Sequence, residues 1–119
     1  VFIHGVGLDH QMWYNQLNYL DEYSILTYDL LGHGKTPNNK DKLNLKDFSN
    51  QLLVLLDHLI IKTIYLVGFS LGSLIALNFS SSFQNIVEIL ILFVIHSVKM
   101  SETVSEIMGV IASEIRKTI

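Results

Sequence analysis

A strand that must become a helix within one residue leaves little freedom to the side chains around the turn. The stretch TIYLVGFSLGS, Thr63 to Ser73, reads as such a place: an apolar run stops at Gly68 and a segment of helical character starts by Gly72. The residue at the apex, Ser70, is forced into a strained backbone conformation, and side chains two positions to either side would collide. Glycines at both positions remove the offending Cβ atoms. Such strain costs about 1–3 kcal/mol, so the G-x-S-x-G pattern predicts a serine hydroxyl held in the open as a nucleophile. A glycine-rich turn can instead cradle an anion on a helix N-terminus, but neither GxGxxG nor GxxxxGK[ST] occurs in the chain.

Short apolar runs alternate with longer stretches of helical period, the pattern of a parallel sheet covered by helices. Four strands are expected, over Val1 to Ile3, Ile25 to Tyr28, Ile64 to Val67 and Ile89 to Ile95. Asp9 is placed to cap a first helix carrying Met12, Trp13, Gln16, Leu17 and Leu20 on one side. Asn44 stands ahead of a stripe of Leu45, Phe48, Leu52, Leu55, Leu56 and Leu59, spacings of three and four that define a core-facing helix. A third helix runs from the serine turn to about Ser81. A last one, over 101–119, has Glu102 in its first turn and Arg116 and Lys117 in its last, as the helix dipole favours.

With 119 residues and no Gly/Ser/Pro-rich linker, the chain supports one modest core. Eight basic against 11 acidic residues, without like-charge runs, argue against a nucleic-acid footprint or a polybasic membrane patch. The most apolar run, Ile86 to Ile95, is too short for a membrane span, which needs about 20 residues, and it carries Glu88. Partners are therefore expected to be small molecules. No cysteine is present, which excludes a thiolate nucleophile and suits a reducing compartment, so a cytoplasmic location is expected. The opening VFIHG has no Met and no basic lead-in and reads as a chain entered in mid-domain.

Two further motifs accompany the serine turn: HGVG, His4 to Gly7, behind the first apolar run, with Trp13 shortly after, and YDLLGHGKT, Tyr28 to Thr36, behind the second. Together with GxSxG they make the chain resemble the α/β-hydrolase family, and HGVGLDHQMW in particular resembles the 3-oxoadipate enol-lactonase branch and its carboxylesterase relatives. The resemblance implies hydrolysis of an ester or lactone through an acyl-Ser70 intermediate, with no cofactor. It assigns the oxyanion-stabilising backbone N–H groups to Val6 and Leu71. It also implies a strand order of second, first, third, fourth, and makes the last helix the start of a cap. Thioesterase, acyltransferase and cofactor-free haloperoxidase chemistry share the same elbow, and a ligand-binding module could keep it for its fold alone.

A serine needs a histidine to take its proton and a carboxylate to orient that histidine. His4 and His33 belong to the turn motifs and are expected to bond loop backbone, while His10 and His58 fall on helix flanks and are expected to be solvated. His96, at the carboxyl end of the last strand, is a candidate pocket residue, as is Trp13, which could equally be packing. Asp29 is expected to fasten the GHG turn. In the family order of serine, acid, then histidine, no acid suited to the role lies between Ser70 and His96, because Glu88 opens a strand at the wrong end. The chain thus reads as the N-terminal and central part of a single α/β-hydrolase domain, inactive by itself, with the catalytic Asp and His supplied by sequence beyond it.

Overall fold

The computed structural model describes residues 1–94. The expected helix over 101–119 and His96 lie outside the described residues. Three strands, β1 (Phe2–Ile3), β2 (Ile64–Phe69) and β3 (Val87–Phe93), form a parallel sheet in the order β1-β2-β3. The run Ile25 to Tyr28 does not form the expected strand. Only Thr27 bridges to Phe2, and the Phe2 N–H donates to the Leu26 carbonyl at 3.0 Å. That places this run beyond β1, in keeping with the expected neighbour order. The ladder stops there because β1 offers only two residues, and the next polar partner along it, the Leu30 N–H, is taken by the His4 side chain. The last strand begins at Val87 rather than Ile89: Val87 pairs with Ile64, and a bulge at Glu88 then shifts the register so that Tyr65 pairs with Ile89.

Alternation along the strands sorts two cores. Ile3, Ile64 and Leu66 face one side, where they meet Phe48, Leu52 and Leu56 of α2 (Leu45–His58) and Ile75, Ala76 and Phe79 of α3 (Leu71–Ser82). Phe2, Val67 and Phe69 face the other, against Trp13 and Leu20. Full burial of a Leu, Ile or Phe contributes about 1.5–3 kcal/mol, so these two clusters hold the helices on both faces. Phe48, Leu52 and Leu56 of the expected α2 stripe are buried, with Leu45 packed at the edge, but Leu59 lies past the helix end and is exposed, because the helix stops at His58. The start of α2 is fixed by a reciprocal capping box in which Asn44 Oδ1 accepts the Asp47 N–H at 2.9 Å while Asp47 accepts the Asn44 N–H at 2.9 Å.

The first helix is shorter than expected: a 3₁₀ turn, His10–Trp13, runs into a single α-helical turn, α1 (Tyr14–Leu17). Asp9 does cap it, through the Gln11 N–H at 2.8 Å. Because the strands are parallel, with Ile3 beside Gly68 and Phe69 beside Phe93, their carboxyl ends bring the HGVG loop and the serine turn to one edge of the sheet.

Candidate active site

Only Ser70 separates β2 from α3, and its backbone stands at φ 55° and ψ −115°. Among the described residues the only other non-glycine with positive φ is Ile60, just past the end of α2. The two glycines serve different contacts. A Cβ on Gly68 would run into the Gly72 carbonyl and the Ser73 Cα across the turn, as a tight elbow predicts. A Cβ on Gly72 would instead strike the carbonyl oxygens of Ile3 and His4, so this glycine exists to let α3 lie against the end of β1.

The elbow is held by its backbone. The Ser70 N–H donates to the Phe93 carbonyl at 2.8 Å, and the Ser70 carbonyl accepts the Ser73 hydroxyl at 2.6 Å and the Ser73 N–H at 2.9 Å. The Ser70 side chain makes no capping bond to the helix it precedes. Its hydroxyl is therefore not consumed by the helix N-terminus, where a serine ordinarily spends it.

The neighbouring loop, Gly5 to Leu8, packs through Gly5, whose Cβ position lies 3.1 Å from the Phe69 ring, one residue before Ser70. Its turn is closed by the Leu8 N–H donating to the Gly5 carbonyl at 3.2 Å, with Gly7 at φ 72°. Val6 is 68% exposed at the tip. Neither the Val6 nor the Leu71 N–H meets an acceptor among the described residues, so both remain free to donate.

The histidines are divided by burial. His4 is fully buried, its Nδ1–H donating to the Gly5 carbonyl at 2.7 Å and its Nε2 accepting the Leu30 N–H at 3.0 Å. Those two bonds define a neutral imidazole, and burial pulls its pKa below the ordinary 6.5. The unfolded chain therefore binds a proton that the folded one refuses. Stability that His4 secures is complete above pH 6.5 and is lost as pH falls below it. Urea midpoints measured from pH 8 to pH 5 are expected to fall with acid, and the fall to be shallower in His4→Gln, whose amide oxygen can accept from Leu30 without titrating. An equal slope in both proteins would remove His4 as the cause.

His33 bonds the Leu31 carbonyl through Nδ1 at 3.0 Å, and its ring lies tilted 5.1 Å from the His4 ring, also a turn-building role. His10 departs from expectation. It is not simply solvated, because both its N–H, at 2.9 Å, and its Nδ1, at 2.7 Å, bond Asp29 Oδ1. The residues are 19 apart in sequence, and no spacing rule announces the pair.

Asp29 fastens the GHG turn as expected and does more. Its Oδ2 accepts the Lys35 N–H at 3.0 Å, and its carbonyl accepts from Thr36 Oγ1 at 2.8 Å and Gln51 Nε2 at 3.0 Å. Burial pushes its carboxyl up, but the hydrogen bonds from Lys35 and His10 outweigh that and hold the pKa down at about 2. A Cβ on Gly34 would overlap this carboxylate, which is the reason for the second glycine of GHG. Asp9, His10 and Asp29 bring potential metal-ligand atoms within 4.8 Å of one another. Asp9 Oδ1 and both Asp29 oxygens are already engaged by the Gln11, His10 and Lys35 N–H groups, so the cluster works as a brace.

Trp13, a candidate for substrate contact, is fully buried, with its ring 4.9 Å from that of Phe2 and in the same cluster as Phe69. It supports β2 from beneath and presents no surface to a ligand. No histidine or carboxylate bonds the Ser70 side chain among the described residues. A cavity of about 520 Å³, lined by Val1, Ile25, Ile64 and Glu88 among others, opens at the amino ends of the strands, away from Ser70. Ligands of open α/β sheets bind at the carboxyl ends, so the serine edge is the candidate site and this cavity is not.

A family model described as alpha/beta hydrolase fold matches residues 1–111. The chain is 32% identical over 89 residues to the (E)-2-((N-methylformamido)methylene)succinate hydrolase of Acinetobacter baylyi, covering 74% of this chain and 34% of that protein. It is 36% identical over 78 residues to 3-oxoadipate enol-lactonase 1 of the same organism, covering 65% and 29%. Among solved structures, a thermophilic esterase from Thermogutta terrifontis is 30% identical with a TM-score of 0.73, covering 76% of this chain and 34% of that one. The chain thus spans 34% or less of the length of these curated relatives.

Proposed function

The chain belongs to the α/β-hydrolase family, and from that premise we propose that it carries the nucleophile and oxyanion donors of a serine hydrolase acting on a carboxylic ester or lactone. The observation that carries this reading is the strained Ser70, whose hydroxyl is left free of its own helix at a cost of about 1–3 kcal/mol. Ser70 Oγ attacks the carbonyl carbon while a histidine takes its proton. The Val6 and Leu71 N–H groups receive the resulting oxyanion, each worth about 2.7–4 kcal/mol in the transition state. Collapse expels the alkoxide, which takes the proton back from the histidine. Water then releases the acid from acyl-Ser70 by the same route.

The histidine and its acid belong, in this reading, to sequence outside the 119 residues, which form the N-terminal and central part of one hydrolase domain. The 119 residues alone are then inactive. No helix among the described residues is long and apolar enough to cross a membrane. With no cysteine in the chain, the cytoplasm is the location we propose.

Treatment of the full-length protein with a fluorophosphonate, followed by peptide mass spectrometry, tests the assignment. The adduct is expected on the peptide holding Ser70. Resistance to labelling in a protein that still binds ester-like ligands would favour a non-catalytic binding module that keeps the elbow for its fold.

A further inference from the structure

We propose that His10 is a positioning residue, which holds the Gly5–Leu8 loop through Asp29 and so sets where the Val6 amide stands. The loop has little internal support. It has one closing hydrogen bond, Leu8 N–H to Gly5, an exposed tip, and open space around Gly7, where an added Cβ would meet nothing within 4 Å. Its geometry therefore comes from its ends. On one side His4 Nε2 holds the Leu30 N–H, and on the other His10 holds Asp29 Oδ1 twice.

Leu30 and Asp29 are consecutive, so both ends of the loop are tied to one short piece of chain, one through the Leu30 N–H and the other through the Asp29 carboxylate. That piece is itself immobilised by Lys35, Thr36 and Gln51. The two clamps differ in accessibility, for His4 is fully buried whereas the His10 side chain is 30% exposed. Tyr14 closes the other side of the His10 ring, its hydroxyl 3.4 Å from Nε2 and its ring edge-on at 5.8 Å. The side-chain half of the outer clamp can thus be removed without opening the core, leaving only the His10 backbone N–H on Asp29.

The catalytic consequence rests on the hydrolase reading: an oxyanion donor must stand within about 2.7–3.1 Å of the developing charge, and misplacement by about 1 Å can cost on the order of 10²-fold in rate. In the full-length protein, His10→Ala is expected to lower kcat for an activated ester about 30- to 100-fold with KM little changed. Amide exchange at Val6 and Gly7 is expected to accelerate at least about tenfold as the loop opens locally. His10→Asn, whose Nδ2 replaces Nδ1 as donor to Asp29, is expected to recover most of both effects. His10→Gln, which places its donor at the Nε2 position, is expected not to. Lys62→Gln, exposed between α2 and β2 at the amino end of the sheet, is the unaffected control.

Wild-type kcat and wild-type exchange in His10→Ala would overturn the proposal. So would equal losses in the Ala and Asn variants accompanied by a lowered Tm, which would make His10 a general stabiliser. An inert wild-type protein would sink the hydrolase reading instead, and exchange at Val6 and Gly7 would still decide whether His10 holds the loop.

Discussion

Replacing Ser70 with alanine in the full-length protein is expected to lower kcat by about 10⁶-fold, the scale of removing a triad nucleophile, and to abolish fluorophosphonate labelling. The fold should survive, because the Ser70 side chain makes no capping bond and the turn is held by its backbone to Phe93 and Ser73. Ser70→Gly separates the two roles of the position. It removes the Cβ that is strained at φ 55°, and stability is expected to rise by about 0.5–1 kcal/mol while activity is lost equally. Denaturant unfolding beside ester hydrolysis reads both quantities. A serine whose removal leaves turnover within tenfold of wild type would end the nucleophile assignment.

The second large effect concerns stability. Gly72→Ala is expected to cost about 3 kcal/mol or more, because the new methyl would meet the Ile3 and His4 backbone carbonyls, which no rotamer change can clear. Gly7→Ala is the comparison. It also sits in a motif, at φ 72°, but faces open space, so only the conformational penalty of about 1–2 kcal/mol applies. Urea midpoints of the two variants separate close packing from backbone strain. A Gly72→Ala protein more stable than Gly7→Ala would show that α3 and β1 are not held together as described.

Part of the site was legible along the chain because it is built from contiguous residues. The elbow needs a strand, two glycines and a helix within a dozen positions, and all are adjacent in sequence. The α2 stripe and its Asn44 cap are likewise local, and the cap and the central Phe48, Leu52 and Leu56 landed where spacing placed them, while Leu59 fell past the helix end. The Ile25 to Tyr28 run misled for a related reason. Its apolar, β-branched character describes burial, but pairing depends on how many residues β1 can offer, and Phe2–Ile3 offers two.

Trp13 shows the same limit from the other side, since its spacing fits a packed residue and a pocket wall equally well. Only its contact with Phe2 and its complete burial decide between them. The sequence by itself determined that a strained serine turn sits in an α/β framework, because local sterics and periodicity act within a few residues. Only the tertiary structure decided that Gly72 serves the packing of α3 on β1 and that Asp29 is shared between the GHG turn and His10. It likewise decided that His4 is locked neutral, its Nε2 engaged by the Leu30 N–H. Those contacts join residues 19 to about 70 positions apart, and hydrogen bonding and close packing depend on distances that no local pattern encodes.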